Sequence, residues 1–317
     1  MTSIFIINIH ENVTYAAQIY SEHSKAGNLT ARNTCGSIDN NQVSTRRKIG
    51  AISFLIYMAL ALITGCSNST YTDVFNDPSY KTVERRAHFK HFVVEHFPSP
   101  NGDELHIYIE GDGLPWTGSQ PSTDPTPRNP IALELMMRDN LNAIYVGRPC
   151  YFNHYARGID TQCDAHYWTN ARYSPRVVDD MSAIAARYIG EKKPHRVILI
   201  GYSGGGVLAT MMACALPKPL VLITLGANLD VAQWSALHNY SPLALSLNPV
   251  NDFAPCEGLS QHHVVGADDE QVPPAVVRTF TKKFQVPLIV LPKVDHKCCW
   301  ADMWAHLLEE IRTERLR

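Results

Sequence analysis

Residues 196–206 read Arg-Val-Ile-Leu-Ile-Gly-Tyr-Ser-Gly-Gly-Gly, and no other stretch constrains the fold as much. Val197 to Ile200 is an unbroken apolar run that leads into Gly201-Tyr202-Ser203-Gly204-Gly205. A mostly apolar, helix-compatible stretch, Val207 to Leu216, follows. Buried strand, tight turn and helix in that order are what a sharp elbow presenting a serine requires. In such a turn, glycine at 201 and 205 removes Cβ atoms that would collide with strand and helix. The bland alternative is a chance Gly-x-Ser-x-Gly, since both residue types are common. The apolar prefix and the helical suffix are separate requirements, and both are met.

The rest of the chain alternates in the same way. His91 to Phe97 and Glu104 to Ile109 read as strands, and Pro-Ser-Pro-Asn-Gly-Asp (98–103) between them is a turn signal. These two are expected to form an antiparallel hairpin that opens the sheet. Ile131 to Arg138 reads as helix and Asn142 to Val146 as strand. Ser174 is a candidate cap for a helix running to about Lys192, with Pro175 at its first position. Leu220–Leu225, His262–Val265 and Pro287–Leu291 read as strands, and Pro274–Phe284 and Cys299–Glu314 as helices. Strands and helices in alternation predict an α/β fold with a mostly parallel central sheet and helices on both faces.

Two downstream sites follow predicted strands. One is Gly266-Ala267-Asp268-Asp269-Glu270-Gln271-Val272-Pro273; the other is Lys293-Val294-Asp295-His296, before the last helix. Serine, acid, histidine is the chain order of the α/β-hydrolases. From about residue 88 to 317 the sequence resembles that superfamily. The pattern Gly266-x-x-Asp269-x-x-Val272-Pro273 is similar to the family's acid loop, which implies Asp269 rather than Asp268 or Glu270. Asp230 is the runner-up acid. His296 matches the family histidine. The resemblance implies a Ser203–His296–Asp269 triad, in which imidazole takes the serine proton and the carboxylate fixes the imidazole.

Tyr108-Ile109-Glu110-Gly111-Asp112-Gly113 ends an early strand, where the family commonly reads His-Gly-x-Gly; Glu110 stands in place of the histidine. The resemblance implies an oxyanion hole from the N–H of Asp112 or Gly113 and that of Gly204. A carboxylate near an oxyanion is unfavourable, so the Asp112 side chain is expected to point away. The alternative for this segment is a plain glycine-rich strand exit.

The formal charge of −2 does not suggest a nucleic-acid partner, which usually demands a basic face, and 45% hydrophobic with 18% charged residues suits a globular protein. The triad chemistry calls for no cofactor and no metal.

Residues 1–65 are set apart from the fold. Arg46-Arg47-Lys48 precedes an uncharged run from Ile49 to Gly65 and then Cys66, the layout of an export signal. Ile63-Thr64-Gly65-Cys66 resembles the lipobox of bacterial lipoproteins. That resemblance implies lipidation of Cys66, anchorage in the cell envelope and, with Ser67 next, the outer membrane facing the periplasm. An uncleaved anchor is the alternative. Because the signal starts well inside the chain, Val43 is expected to be the true start and Met1 a misassigned one; intact-precursor mass spectrometry tests this. Residues 66–87 are expected to be a tether and 88–317 the catalytic domain.

An exported chain can oxidise its cysteines. Cys150 and Cys163 are expected to bridge locally, and Cys256 to pair with Cys298 or Cys299. Cys214 is expected to be a lone buried thiol. A zinc site from His296, Cys298 and Cys299 is the weaker alternative.

Trp116, Tyr151, Phe152, Tyr155, Tyr167, Trp168, Trp234 and Tyr240 would either line an acyl pocket or pack the loops. Residues 231–260 are a candidate small lid. Arg148 and Arg157 would meet an acidic substrate group or be structural. The expected activity is cleavage of a carboxylic ester or thioester of a small acyl substrate. A peptidase, amidase or acyltransferase on the same triad is the first alternative, and a non-catalytic envelope lipoprotein the second. The oligomeric state stays open.

Overall fold

Apolar residues dominate the central strands, so both faces of the sheet must be covered. In the computed structural model, residues 69–99, 102–152, 160–217 and 219–313 are described. The chain divides into two units, Met1–Ser69 and Thr70–Arg317, and the fold is that of the second. The signal segment, Cys66, Tyr155 and Arg157 lie outside the described residues.

The main strands are β1 (Lys81–Arg86), β2 (Lys90–His96), β3 (Glu104–Ile109), β4 (Ala143–Val146), β5 (Arg196–Tyr202), β6 (Leu220–Leu225), β7 (Leu259–Gly266) and β8 (Leu288–Leu291). The helices are α1 (Ser69–Asn76), α2 (Ile131–Met136), α3 (Pro175–Lys192), α4 (Gly204–Met212), α5 (Val231–Leu237), α6 (Pro249–Asp252), α7 (Pro274–Phe284) and α8 (Trp300–Arg312). The sheet order is β1-β2-β4-β3-β5-β6-β7-β8. From β4 to β8 every neighbouring pair is parallel.

Side chains alternate between two cores. Tyr108, Ile198, Ile200, Ile223 and Leu225 pack with Trp300 and Trp304 of α8 and with α2. Ile107, Ile109, Val197, Leu199 and Leu222 pack with α3 and α4 on the other face. A smaller cluster joins Val265 to Val276, Val277 and Phe280 of α7. Among the described residues, no helix is long and apolar enough to cross a membrane.

Five expectations are corrected. The antiparallel hairpin exists, but it is β1 with β2. β2 and β3 are separated by β4, which runs antiparallel to the first and parallel to the second. The reason lies in burial. Leu105 to Ile109 are buried on both faces and belong inside the sheet, whereas β1 is largely exposed and suits an edge.

The tether reading of 66–87 also fails for its described part. Tyr71 and Val74, three residues apart on α1, are buried in the core.

Cys214 is not a lone thiol but bonds to Cys256 across a Cα separation of 5.7 Å. The helix α4 ends at Met212, and a single tighter turn, Ala213–Ala215, turns Cys214 to that partner. Cys256 is therefore unavailable to Cys298 or Cys299, which bond to each other. The local Cys150–Cys163 bridge is present as expected.

Finally, Ser174 stands at the N-cap of α3 with Pro175 following, but its side chain makes no capping bond.

Candidate active site

The elbow forms where β5 gives way to α4. Ser203 holds φ 52° and ψ −123°, a left-sided backbone that costs a non-glycine residue roughly 1–3 kcal/mol. Its N–H donates to the Leu225 carbonyl at 2.8 Å, and its own carbonyl accepts from Gly206 N–H at 2.9 Å. A Cβ on Gly201 would meet Gly206 Cα at 2.6 Å, so strand and helix touch backbone to backbone at this corner.

Three side chains then converge. Ser203 Oγ lies 3.0 Å from His296 Nε2. His296 Nδ1 lies 2.8 Å from Asp269 Oδ2. Asp269 Oδ1 accepts the Val272 N–H at 2.6 Å, and the residue is only 2% exposed. The His296 backbone is pinned as well, its carbonyl accepting from Tyr202 Oη at 2.6 Å and Trp300 Nε1 at 3.0 Å. Both ring nitrogens of His296 thus have protein partners and Cys298 is bonded to Cys299, so the zinc alternative loses its ligands.

Asp230 is elsewhere engaged: its Oδ1 caps α5 through Gln233 N–H at 3.0 Å and accepts from Asn248 Nδ2 at 3.3 Å.

Parallel pairing of β3 with β5 sets Ile109 opposite Gly201. The strand exit Glu110–Gly113 therefore runs beside the elbow, and a Cβ on Gly111 would stand 3.2 Å from that of Ser203. Gly111 N–H donates to Glu110 Oε1 and Leu114 N–H to the Pro125 carbonyl. Among the described residues, the N–H groups of Asp112 and Gly113 have no acceptor, as an oxyanion hole requires. Gly204 opens α4, where the first N–H groups lack an intrahelical partner.

The Asp112 side chain does not simply point away. It lies over Gly204, where an added Cβ would overlap Oδ1 and crowd the Tyr173 hydroxyl at 2.6 Å. Its charge is met instead of avoided. Arg148 Nη1 donates to Oδ1 at 2.5 Å, and Arg172 Nη1 and Tyr173 Oη donate to Oδ2 at 3.0 and 2.6 Å. Burial pushes this carboxyl up, but Arg172, Arg148 and the Tyr173 hydroxyl together pull it down to about 2. Arg148, the candidate for an acidic substrate group, is therefore internal to the protein. Arg172 and Tyr173 carried no sequence signal beyond preceding a helix start.

Glu110 has a structural role. Its Oε2 accepts the N–H groups of Ala132 and Leu133 at the start of α2, at 3.0 and 3.4 Å. Burial pushes its carboxyl up to about 7, against the pull of those N–H groups and of Arg148. The unfolded chain releases this proton near pH 4.5 and the folded one near 7. The folded state thus binds more protons between those values, and stability falls as pH rises through that window. The loss amounts to about 3 kcal/mol across it. Urea unfolding of Glu110→Gln should show a flatter profile than wild type between pH 5 and about 7.

Four of the eight flagged aromatic residues are buried, and a fifth, Tyr167, is half-buried against Phe89. Tyr151, Phe152, Trp168 and Trp234 are buried, while Trp116 and Tyr240 are exposed. The 231–260 segment grips the acid loop, with Trp234 Nε1 and His238 Nε2 both at the Gln271 carbonyl, 2.9 and 2.8 Å away.

No protein-family model matches the sequence, and no curated protein matches it either. Solved structures do. A serine hydrolase of Xanthomonas campestris described as lacking a lid aligns with TM-score 0.50 at 16% identity, over 75% of this chain and 95% of that one. An esterase of Pyrococcus furiosus aligns with TM-score 0.52 at 13% identity, over 77% and 92%. A proline iminopeptidase-related protein of Thermus thermophilus gives 0.51 at 14%, over 75% and 97%. The chain has the α/β-hydrolase fold. In the α/β-hydrolase fold the nucleophile stands on the turn after a central strand, with acid and histidine on later loops. Here Ser203 stands on the turn after β5, Asp269 on the loop after β7 and His296 on the loop after β8.

Proposed function

We propose that this protein is a serine hydrolase that cleaves carboxylic esters or thioesters through an acyl-Ser203 intermediate. The observation that carries the reading is the unbroken hydrogen-bonded line from Ser203 Oγ through His296 to the buried Asp269 carboxylate, at 3.0 and 2.8 Å. Oγ attacks the carbonyl carbon as His296 Nε2 accepts its proton. The tetrahedral oxygen becomes negative and takes hydrogen bonds from the N–H groups of Asp112 and Gly204, with Gly113 as a further donor. Collapse expels the alcohol or thiol, which carries away the proton from Nε2. Water, deprotonated by the same nitrogen, then attacks the acyl carbon and frees the acid. Asp269 holds Nδ1 protonated and stabilises the imidazolium. We further propose that lipidation of Cys66 anchors the domain to the outer membrane, facing the periplasm.

The test is direct. The folded, oxidised protein should be labelled by a fluorophosphonate probe and should turn over short p-nitrophenyl esters. Absence of both would favour a non-catalytic envelope module. Faster turnover of aminoacyl amides than of esters and thioesters would redirect the reading to an amidase.

A further inference from the structure

We propose that Arg148 and Arg172 are positioning residues of the oxyanion hole, acting through Asp112. The proposal rests on the reading of Ser203 as nucleophile.

The starting point is an electrostatic problem. The tetrahedral intermediate gathers a negative charge beside the N–H groups of Asp112 and Gly204, yet the Asp112 carboxylate lies against Gly204. A bare carboxylate there would oppose the reaction. Two guanidiniums face that one carboxylate, so the cluster of three ionised groups carries net positive charge.

The cluster also fixes geometry. Oδ1 of Asp112 is held by Arg148, Oδ2 by Arg172 and Tyr173, and the main-chain oxygen by Tyr151 Oη at 2.9 Å. The N–H is the one polar group of Asp112 without a partner among the described residues. It is a donor locked in place before any substrate arrives, the condition under which such a donor is effective.

Arg148 is built for this rather than for solvent. It is 1% exposed and its Nη2 donates to the Arg172 carbonyl at 2.7 Å. Its guanidinium carbon lies over the rings of Tyr151 and Tyr173, 5.1 and 5.5 Å from their centres. Arg172 in turn is anchored by Nε to the Thr169 carbonyl at 2.7 Å. Apolar side chains would hold these loops together without the desolvation cost of two buried guanidiniums and a largely buried carboxylate.

The experiment compares wild type with Arg148→Met, Arg172→Met and the two lysine variants. Active sites are titrated with fluorophosphonate to completion. Then kcat and KM for p-nitrophenyl butyrate are measured per titrated site, with the affinity for an alkyl trifluoromethyl ketone, which binds serine as an oxyanion-bearing adduct. The methionine variants should lose about 10²–10³-fold in kcat, with little change in KM and a parallel loss of ketone affinity. Arg172→Lys should recover part of the loss. Unchanged kcat and ketone affinity in folded Arg172→Met, with only a lowered Tm, would overturn the proposal. Should Arg148→Met fail to fold, the two variants at 172 carry the same comparison. A wild type that neither labels nor turns over ester removes the underlying reading instead, and shows this before any variant is made.

Discussion

Ser203→Ala should lower kcat by about 10⁵–10⁶-fold and abolish the fluorophosphonate adduct. The loss is that large because on the proposed mechanism the hydroxyl forms the acyl bond, and among the described residues no second nucleophile stands on the His296 imidazole. Stability should change little. Alanine keeps the Ser203 N–H bond to the Leu225 carbonyl and the carbonyl bond from Gly206, and gives up only the contact to His296 Nε2. The strained backbone at φ 52° persists in either residue, so its cost cancels between them. Intact-protein mass spectrometry after labelling, with a thermal melt on the same sample, separates chemistry from unfolding. A Ser203→Ala protein that still labels at one site would move the nucleophile elsewhere.

The elbow was legible because its determinants are local: an apolar strand, glycines where backbones meet, and a helix. His296 and Asp269 were legible because each follows a strand, and the parallel sheet brings strand ends together at one edge. Strand pairing was less so. The partner of β2 is chosen by burial over the whole sheet, and nothing in residues 91–109 says that β4 will insert between β2 and β3. α1 escaped notice because its hold on the core comes down to two side chains, Tyr71 and Val74, within a polar stretch. Cys214 misled because its default as a buried thiol ignores a partner 42 residues away. The clamp on Asp112 was invisible for the same reason. Arg148 and Arg172 stand 36 and 60 residues from the carboxylate they hold.

Asp269→Asn should lower kcat by about 10⁴-fold while the corresponding change at Asp230 leaves it within about twofold. The asymmetry follows from the bonds each carboxylate makes. Asp269 Oδ1 accepts the Val272 N–H at 2.6 Å, and an asparagine oxygen would stay there because the alternative sets two donors face to face. The amide NH₂ would then point at His296 Nδ1, where the carboxylate oxygen now lies at 2.8 Å. It would donate to Nδ1 and leave the ring proton on Nε2, 3.0 Å from Ser203 Oγ. An imidazole protonated on that side cannot accept the serine proton. The defect is one of tautomer, so raising the pH to ionise the hydroxyl directly should restore part of the rate in Asp269→Asn. At Asp230 the residue caps α5 through Gln233 N–H, and asparagine is an equally good cap. Steady-state kinetics of the two variants between pH 6 and about 10 decides the assignment. If Asp230→Asn is the variant that loses activity, the acid has been placed on the wrong strand.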